Sequence, residues 1–242
     1  MKDFKILKVK DHSDSYYTKM QDIFDIPMRL IIVGRSFLSG KSTIILNLLL
    51  REKFYKDKFD GENIFIISNN KMDNKMKILK QEKDVPAANF MEFSESNLEM
   101  IYNKVEEACL ESIDEGEKPV NSLIILDDVA FSGDLRAKMN GTLSRIMCNG
   151  RHCNLSCIVT AQKYSQLSTT IRTNASGAIL FSNSAKEVES MSMDFNYLNS
   201  GKAFVKMFRK VTKDKNSFLV VNFSNDDIYL DSNFKKIEME ED

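Results

Sequence analysis

The sequence has no long run of apolar residues, and this absence excludes several classes of protein. No stretch approaches the roughly 18 apolar residues of a membrane span, and the opening MKDFKILKVKDH lacks the apolar segment of a signal peptide. Hydrophobic residues still make up 43% of the 242 residues, enough for the core of one α/β domain. We therefore expect a protein that is neither secreted nor embedded in a membrane.

The chain also lacks an excess of charge of either sign. Lys and Arg total 34, Asp and Glu total 35, and the formal net charge is −1. This balance argues against a protein that coats DNA through its overall charge, but it is compatible with basic groups confined to a pore. No internal repeat, low-complexity tract or proline-rich linker divides the sequence. We expect an N-terminal arm or edge strand at 1–27, one domain at 28–223 and an acidic tail at 224–242.

Cysteine is scarce and shows no ligand pattern. The four cysteines are Cys109, Cys148, Cys153 and Cys157. Three of them lie close to His152, but the spacing C-x4-C-x3-C is not a standard zinc pattern. We expect reduced thiols in a cytosol-like compartment and no metal bound by these residues.

Apolar runs of strand type alternate with segments of helical periodicity. The predicted strands are 28–33, 63–68, 90–93, 122–126, 155–161 and 178–181. The predicted helices are a segment after the first loop to about residue 56, a lysine-rich segment after 68, and 97–113, 135–148 and 185–198. Such alternation predicts an α/β fold with a mainly parallel central sheet covered by helices on both faces. Near the C-terminus, residues 203–223 are expected to form a β-hairpin with a basic turn.

The segment LIIVGRSFLSGKST is similar to a phosphate-binding loop between a strand and a helix. Gly34 lies six residues before Gly40, one more than in the pattern G-x-x-x-x-G-K-[ST]. Backbone N–H groups at a helix N-terminus can surround phosphate oxygens, and Lys41 would reach the β- and γ-phosphates. The alternative is a packing turn. The predicted nucleotide-binding residues are Gly34, Arg35, Ser36, Ser39, Gly40, Lys41, Ser42 and Thr43.

Two carboxylates end the apolar strand SLIILDD. With a phosphate-binding loop upstream, they suggest that Asp127 and the Ser42 hydroxyl hold Mg²⁺ and that Asp128 orients and deprotonates the attacking water. Gln162, at the end of the strand LSCIVTA, fits a residue that senses the γ-phosphate. The alternatives are two solvated aspartates in a turn and a strand-capping glutamine.

Several basic residues are candidates for contacts outside the loop. Arg172 is the first candidate for an arginine that acts on a neighbouring subunit's γ-phosphate, and Arg151 is the second. The alternative for each is a surface arginine paired nearby. The predicted phosphate contacts on double-stranded DNA are Arg209, Lys210, Lys213 and Lys215 in the basic turn, unless this turn only aids solubility.

The order of the motifs resembles the FtsK–HerA superfamily, and within it the genome-packaging ATPases of poxviruses, giant viruses and virophages. The segments that carry the resemblance are IIVGRSFLSGKST, LIILDDV, NGRHCNLSCIVTAQ and IRTNASGAILF, within about 28–182. The resemblance implies a RecA-like (ASCE) P-loop NTPase that uses ATP and Mg²⁺. It also implies a homo-oligomeric ring, hexamer or pentamer, that threads double-stranded DNA into a capsid through a capsid or portal component. Its expected location is the viral factory in the host cytoplasm, or the virion.

Two other classes of function stay open. A P-loop kinase would need several arginines on a lid near the phosphates, and the sequence shows no such cluster. A non-hydrolysing switch or scaffold would bind ATP without turnover, and the longer loop keeps this reading open. The letters N-K-x-D at 70–73 come before the paired aspartates, and we interpret them as a coincidence rather than guanine recognition.

Overall fold

The computed structural model describes residues 12–21, 23–36, 39–70, 73–129, 141–224 and 228–238. Its strands are β1 Arg29–Val33, β2 Ile64–Ser68, β3 Phe90–Met91, β4 Ser122–Asp127, β5 Leu155–Ala161, β6 Gly177–Phe181, β7 Phe218–Asn222 and β8 Tyr229–Leu230. Its helices are α1 Lys41–Leu50, α2 Asn74–Glu82, α3 Glu95–Asp114, α4 Thr142–Asn149, α5 Thr169–Thr173, α6 Ala185–Phe195 and α7 Gly201–Val211.

The eight strands form one sheet in the order β3-β2-β4-β5-β1-β6-β7-β8. All pairs from β3 to β6 are parallel, whereas β6–β7 and β7–β8 are antiparallel. The predicted mainly parallel sheet is therefore confirmed, whereas the hairpin predicted at 203–223 is not formed.

The core lies on both faces of the sheet, and β1 shows why its residues are continuously apolar. Leu30 and Ile32 pack in one hydrophobic cluster, while Ile31 and Val33 pack in the other. Successive side chains of a strand point to opposite faces, so a strand covered on both sides needs apolar residues at every position.

Residues 201–211 are helical, and the prediction of a strand at the start of the 203–223 hairpin was wrong. The buried side chains Phe204, Met207 and Phe208 follow helical spacing, and the Ser200 side chain accepts a hydrogen bond from the Ala203 N–H. The antiparallel partners in this region are instead β6, β7 and β8.

The first helix is also shorter than expected, since α1 ends at Leu50 rather than near residue 56. Arg51 takes an extended backbone conformation, and turns follow it. Tyr55 and Phe59 are nevertheless buried, and the Tyr55 hydroxyl donates to the Phe24 carbonyl at 2.6 Å. Apolar residues beyond the helix therefore serve packing rather than helix continuation.

The N-terminal segment packs on the domain without extending its sheet in the described residues. Thr18 and Ile26 form an isolated antiparallel bridge, and Ile23, Phe24 and Ile26 are buried. Three predicted features lie outside the described residues. They are the alternating apolar positions before residue 12, residues 135–140 of the helix predicted at 135–148, and the last four residues of the acidic tail. In the described part of the chain, every helix is too short or too polar to span a bilayer.

Candidate nucleotide-binding site

The strand order brings three of the predicted motifs to one edge of the sheet. Strand β5 lies between β1 and β4, and the three are parallel. The loop after β1, the aspartates that end β4 and Gln162 after β5 therefore meet at the carboxyl ends of adjacent strands. In open α/β sheets, ligands bind in the crevice at this edge.

The loop of residues 34–40 is held at both ends. The Gly34 N–H donates to the Ala161 carbonyl at 3.0 Å, and the Lys41 Nζ donates to the Gly34 carbonyl at 2.8 Å. Gly40, at the N-cap of α1, has a φ of 78°, which glycine adopts without strain. Two of the predicted loop residues also touch, since the Ser39 hydroxyl donates to the Arg35 carbonyl at 2.7 Å. Phe37 and Leu38 lie outside the described residues. Lys41 and Ser42 are the first two residues of α1.

Lys41 is a buried cation that faces carboxylates. Its side chain is 7% exposed. Burial lowers its pKa, while the charges of Asp128 and Asp127 oppose that shift. A buried ammonium beside a helix N-terminus suits an anionic ligand such as a phosphate chain.

The Ser42 hydroxyl lies between two carboxylates. It is 3.4 Å from Asp127 Oδ2 and 3.3 Å from Asp73 Oδ2. Asp127 is 2% exposed, and burial raises its pKa to about 6 against the opposing hydrogen bond from the Thr160 hydroxyl. The other Asp73 oxygen accepts from the Lys75 N–H at 2.7 Å and caps α2.

This donor set fits Mg²⁺. One hydroxyl proton cannot satisfy two carboxylates, and magnesium prefers oxygen ligands from one or two carboxylates together with substrate phosphates. Within the described residues, His, Cys, Asp and Glu form no group of three that could hold a metal alone. A cation at Ser42 and Asp127 would therefore need phosphate or water oxygens as further ligands.

Asp128 and Gln162 are in direct contact. The Gln162 amide nitrogen lies 3.0 Å from Asp128 Oδ1 and 3.1 Å from Oδ2, while the Gln162 backbone carbonyl accepts from Asn183 at 3.1 Å. Asp128 has a φ of 53°, uncommon for a residue other than glycine, and its N–H donates to the Thr160 hydroxyl at 2.8 Å. Thr160 thus joins the backbone of one aspartate to the side chain of the other.

Sequence reasoning assigned no role to Asp73 or Thr160. Asp73 stands in the N-K-x-D letters that we set aside, and its distance to Ser42 depends on the pairing of β2 with β4. Thr160 could have been found, because a polar residue at a buried strand position next to Gln162 needs a hydrogen-bond partner.

The candidate arginines lie in other surroundings. The Arg172 guanidinium contacts Asp194 at 3.0 Å and lies 5.0 Å from the centre of the Tyr164 ring, and the Tyr164 hydroxyl donates to Asp194 at 2.6 Å. Arg151 is exposed, and its Nε lies 3.3 Å from the His152 ring. A role for either arginine on a neighbouring subunit stays a prediction.

The four predicted DNA contacts separate into two groups. Arg209 and Lys210 lie in the last turn of α7. Lys213 and Lys215 lie in the turn between α7 and β7 and line a cleft together with Arg35. The second pair is therefore close to the loop of residues 34–40.

A sequence profile of the family described as Poxvirus A32 protein matches residues 16–239. The chain belongs to the poxvirus A32 protein family. The resemblance to viral genome-packaging ATPases is thereby confirmed. No curated protein matches the chain.

Solved structures of P-loop ATPases have the same fold. The genome packaging NTPase B204 from Sulfolobus turreted icosahedral virus 2, solved with AMPPCP, superposes with a TM-score of 0.55 at 17% identity, covering 81% of the A32-family chain and 93% of B204. Its sulfate complex gives a TM-score of 0.58 at 17% identity, over 88% and 98% of the two chains. ATPases 2 and 3 of EssC from Geobacillus thermodenitrificans give 0.60 at 15% identity, over 89% and 41%.

Proposed function

We propose that this A32-family protein is an ATP-hydrolysing motor that moves double-stranded DNA during the packaging of a viral genome. The observation that carries the proposal is the convergence of Lys41, Ser42 and Asp127 with the Asp128–Gln162 pair. Family membership and the B204 fold support a packaging NTPase.

The phosphate chain is held by the loop of residues 34–40, with Lys41 donating to the β- and γ-phosphates. Ser42 and Asp127 would hold Mg²⁺, and Asp73 would add negative charge beside them. When bound, the cation neutralises charge that develops on the phosphates during transfer. The hydrogen bond from Lys41 to the Gly34 carbonyl positions the ammonium at the start of α1.

Asp128 accepts a proton from the attacking water, and Gln162 orients that water and contacts the γ-phosphate. The Gln162 amide contacts both oxygens of the Asp128 carboxylate. The Gln162 amide would contact the γ-phosphate while a carboxylate oxygen accepts a hydrogen bond from the water. Asp128 would thus serve as the general base for a water that Gln162 orients.

The same contact favours a second candidate function, a nucleotide-dependent switch or scaffold without turnover. If Gln162 stays on Asp128 with nucleotide bound, its amide cannot contact the γ-phosphate or orient the attacking water. Such a protein would bind ATP and change its partners without hydrolysis.

The partners we propose follow from the family. They are double-stranded DNA, a homo-oligomeric ring of six or five copies and a capsid or portal component. Arg172 is the proposed arginine that acts across the subunit interface, and it would have to leave its Asp194 contact to do so. The proposed location is the viral factory or the virion.

Steady-state ATP hydrolysis, with and without long double-stranded DNA, tests the proposal, and Lys41→Ala serves as the blank. DNA-stimulated turnover that disappears in the blank is the expected result. ATP binding without turnover, even with procapsids added, would contradict the motor and favour the switch.

A further inference from the structure

Two adjacent clefts lie beside the phosphate-binding loop, each of about 320 Å³. Ser39, Phe181 and Asn216 line both clefts. The first also has Thr43 and Ile44 from α1, and the second has Lys213 and Lys215 from the turn of residues 212–217. The turn therefore forms a wall of both clefts.

The sheet order determines which way a bound nucleotide must extend. The aspartates of β4 and Gln162 after β5 lie on one side of β1, whereas Phe181 of β6 and the turn before β7 lie on the other. If the γ-phosphate lies at Lys41 and Asp127, the nucleoside leaves the loop toward the β6–β7 side. That side is where the two clefts lie.

The lining of the first cleft suits a planar base. Phe181 and Phe218 have ring centres 5.2 Å apart, and with Ile44 they supply apolar walls. Asn216 and Asn47 add side-chain amides, which can pair with the ring nitrogens and exocyclic groups of a base. Ligand sites commonly combine apolar walls with a few amides in this way.

The lining of the second cleft suits the charged part of the same ligand. Arg35, Lys213 and Lys215 line it together with one acidic residue, Asp214. The excess positive charge attracts an anionic nucleotide. Lys213 and Lys215 could therefore contact the nucleotide rather than DNA.

We propose that the turn of residues 212–217 binds the base and ribose of the nucleoside triphosphate, with Asn216 donating or accepting a hydrogen bond at the base. The proposal rests on the proposed function, because it requires the triphosphate on the loop of residues 34–40. It assigns Lys213 and Lys215 to the nucleotide instead of DNA. It also links the C-terminal strands to nucleotide occupancy through β7.

Asn216→Gly is the first test, because it deletes the amide and keeps the backbone. Asn216 has a φ of 65°, which glycine adopts without strain. Calorimetric titration would compare a non-hydrolysable ATP analogue with inorganic tripolyphosphate, which has neither base nor ribose. We expect the analogue to bind about fivefold to tenfold more weakly and tripolyphosphate to bind within about twofold of the unsubstituted chain.

Further variants separate failure of this inference from failure of the proposed function. Lys41→Ala should weaken both ligands, and Lys202→Ala, which removes an exposed cation of α7 outside the clefts, should weaken neither. If the unsubstituted chain binds neither ligand, the proposed function falls and this inference with it. If it binds both, and Asn216→Gly binds the ATP analogue equally well, only the nucleoside role of the turn is overturned.

Direct labelling gives an answer that does not depend on how a variant folds. Irradiation with 8-azido-ATP, followed by peptide mass spectrometry, should attach the base to residues 43–47 or 212–218. Labelling elsewhere would overturn the assignment.

The double variant Lys213→Ala and Lys215→Ala should also keep its affinity for double-stranded DNA. A reduced affinity would show that these lysines contact DNA.

Discussion

Asp73→Asn removes one negative charge beside the proposed Mg²⁺ position while keeping the local fold. Asp73 uses one oxygen to cap α2 through the Lys75 N–H and presents the other to Ser42. Asparagine is as good an N-cap as aspartate, so α2 should stay intact. The substitution therefore isolates the charge from the cap.

The expected loss can be worked from the contacts. The Asp73 carboxylate lies 3.3 Å from the Ser42 hydroxyl, and its charge is one cause of the raised pKa of Asp127 after burial. It thus acts on both proposed protein ligands of the cation. Removing such a partner commonly lowers metal affinity by about tenfold to a hundredfold, and tenfold corresponds to about 1.4 kcal/mol.

Titration with Mn²⁺, followed by electron paramagnetic resonance in the presence of a non-hydrolysable ATP analogue, measures this loss directly. Glu82→Gln is the matched control, because it removes an exposed carboxylate near the other end of α2, about 12 Å along the helix. We expect weaker Mn²⁺ binding only in the Asp73 variant. Equal affinity in both variants would refute a role for Asp73 beyond capping.

Two further substitutions test the second half of the site. Asp128→Asn should preserve binding of the ATP analogue and lower the rate of steady-state ATP hydrolysis by about a hundredfold or more. The reason is that an amide cannot accept the proton of the attacking water. Normal turnover would contradict the assignment of Asp128 as the general base. Thr160→Val should lower the free energy of unfolding by about 1–3 kcal/mol, measured by urea denaturation. The reason is that the Asp128 N–H and one Asp127 oxygen lose the hydroxyl that joins them. An unchanged urea midpoint would count against this contact.

Local sequence patterns predicted most strands correctly, but they predicted a strand where residues 201–211 form a helix. Strands such as β4 and β5 are mostly apolar and buried at every position, so their composition alone predicted them. The apolar residues of 201–211 fit both the helical and the strand periodicity, because the segment is short. Ser200, a typical N-cap residue, indicated the helix.

The sequence by itself determined the chemical groups at the ends of β1, β4 and β5, because each follows a recognisable apolar strand. Only the tertiary structure decided which groups meet. Asp73 faces Ser42, and Thr160 joins Asp127 to Asp128, because neighbouring strands are paired in parallel register. The basic turn lies beside the phosphate-binding loop because β7 is reached through β6, the neighbour of β1. Distances between residues far apart in the chain follow from strand order, which local periodicity does not encode.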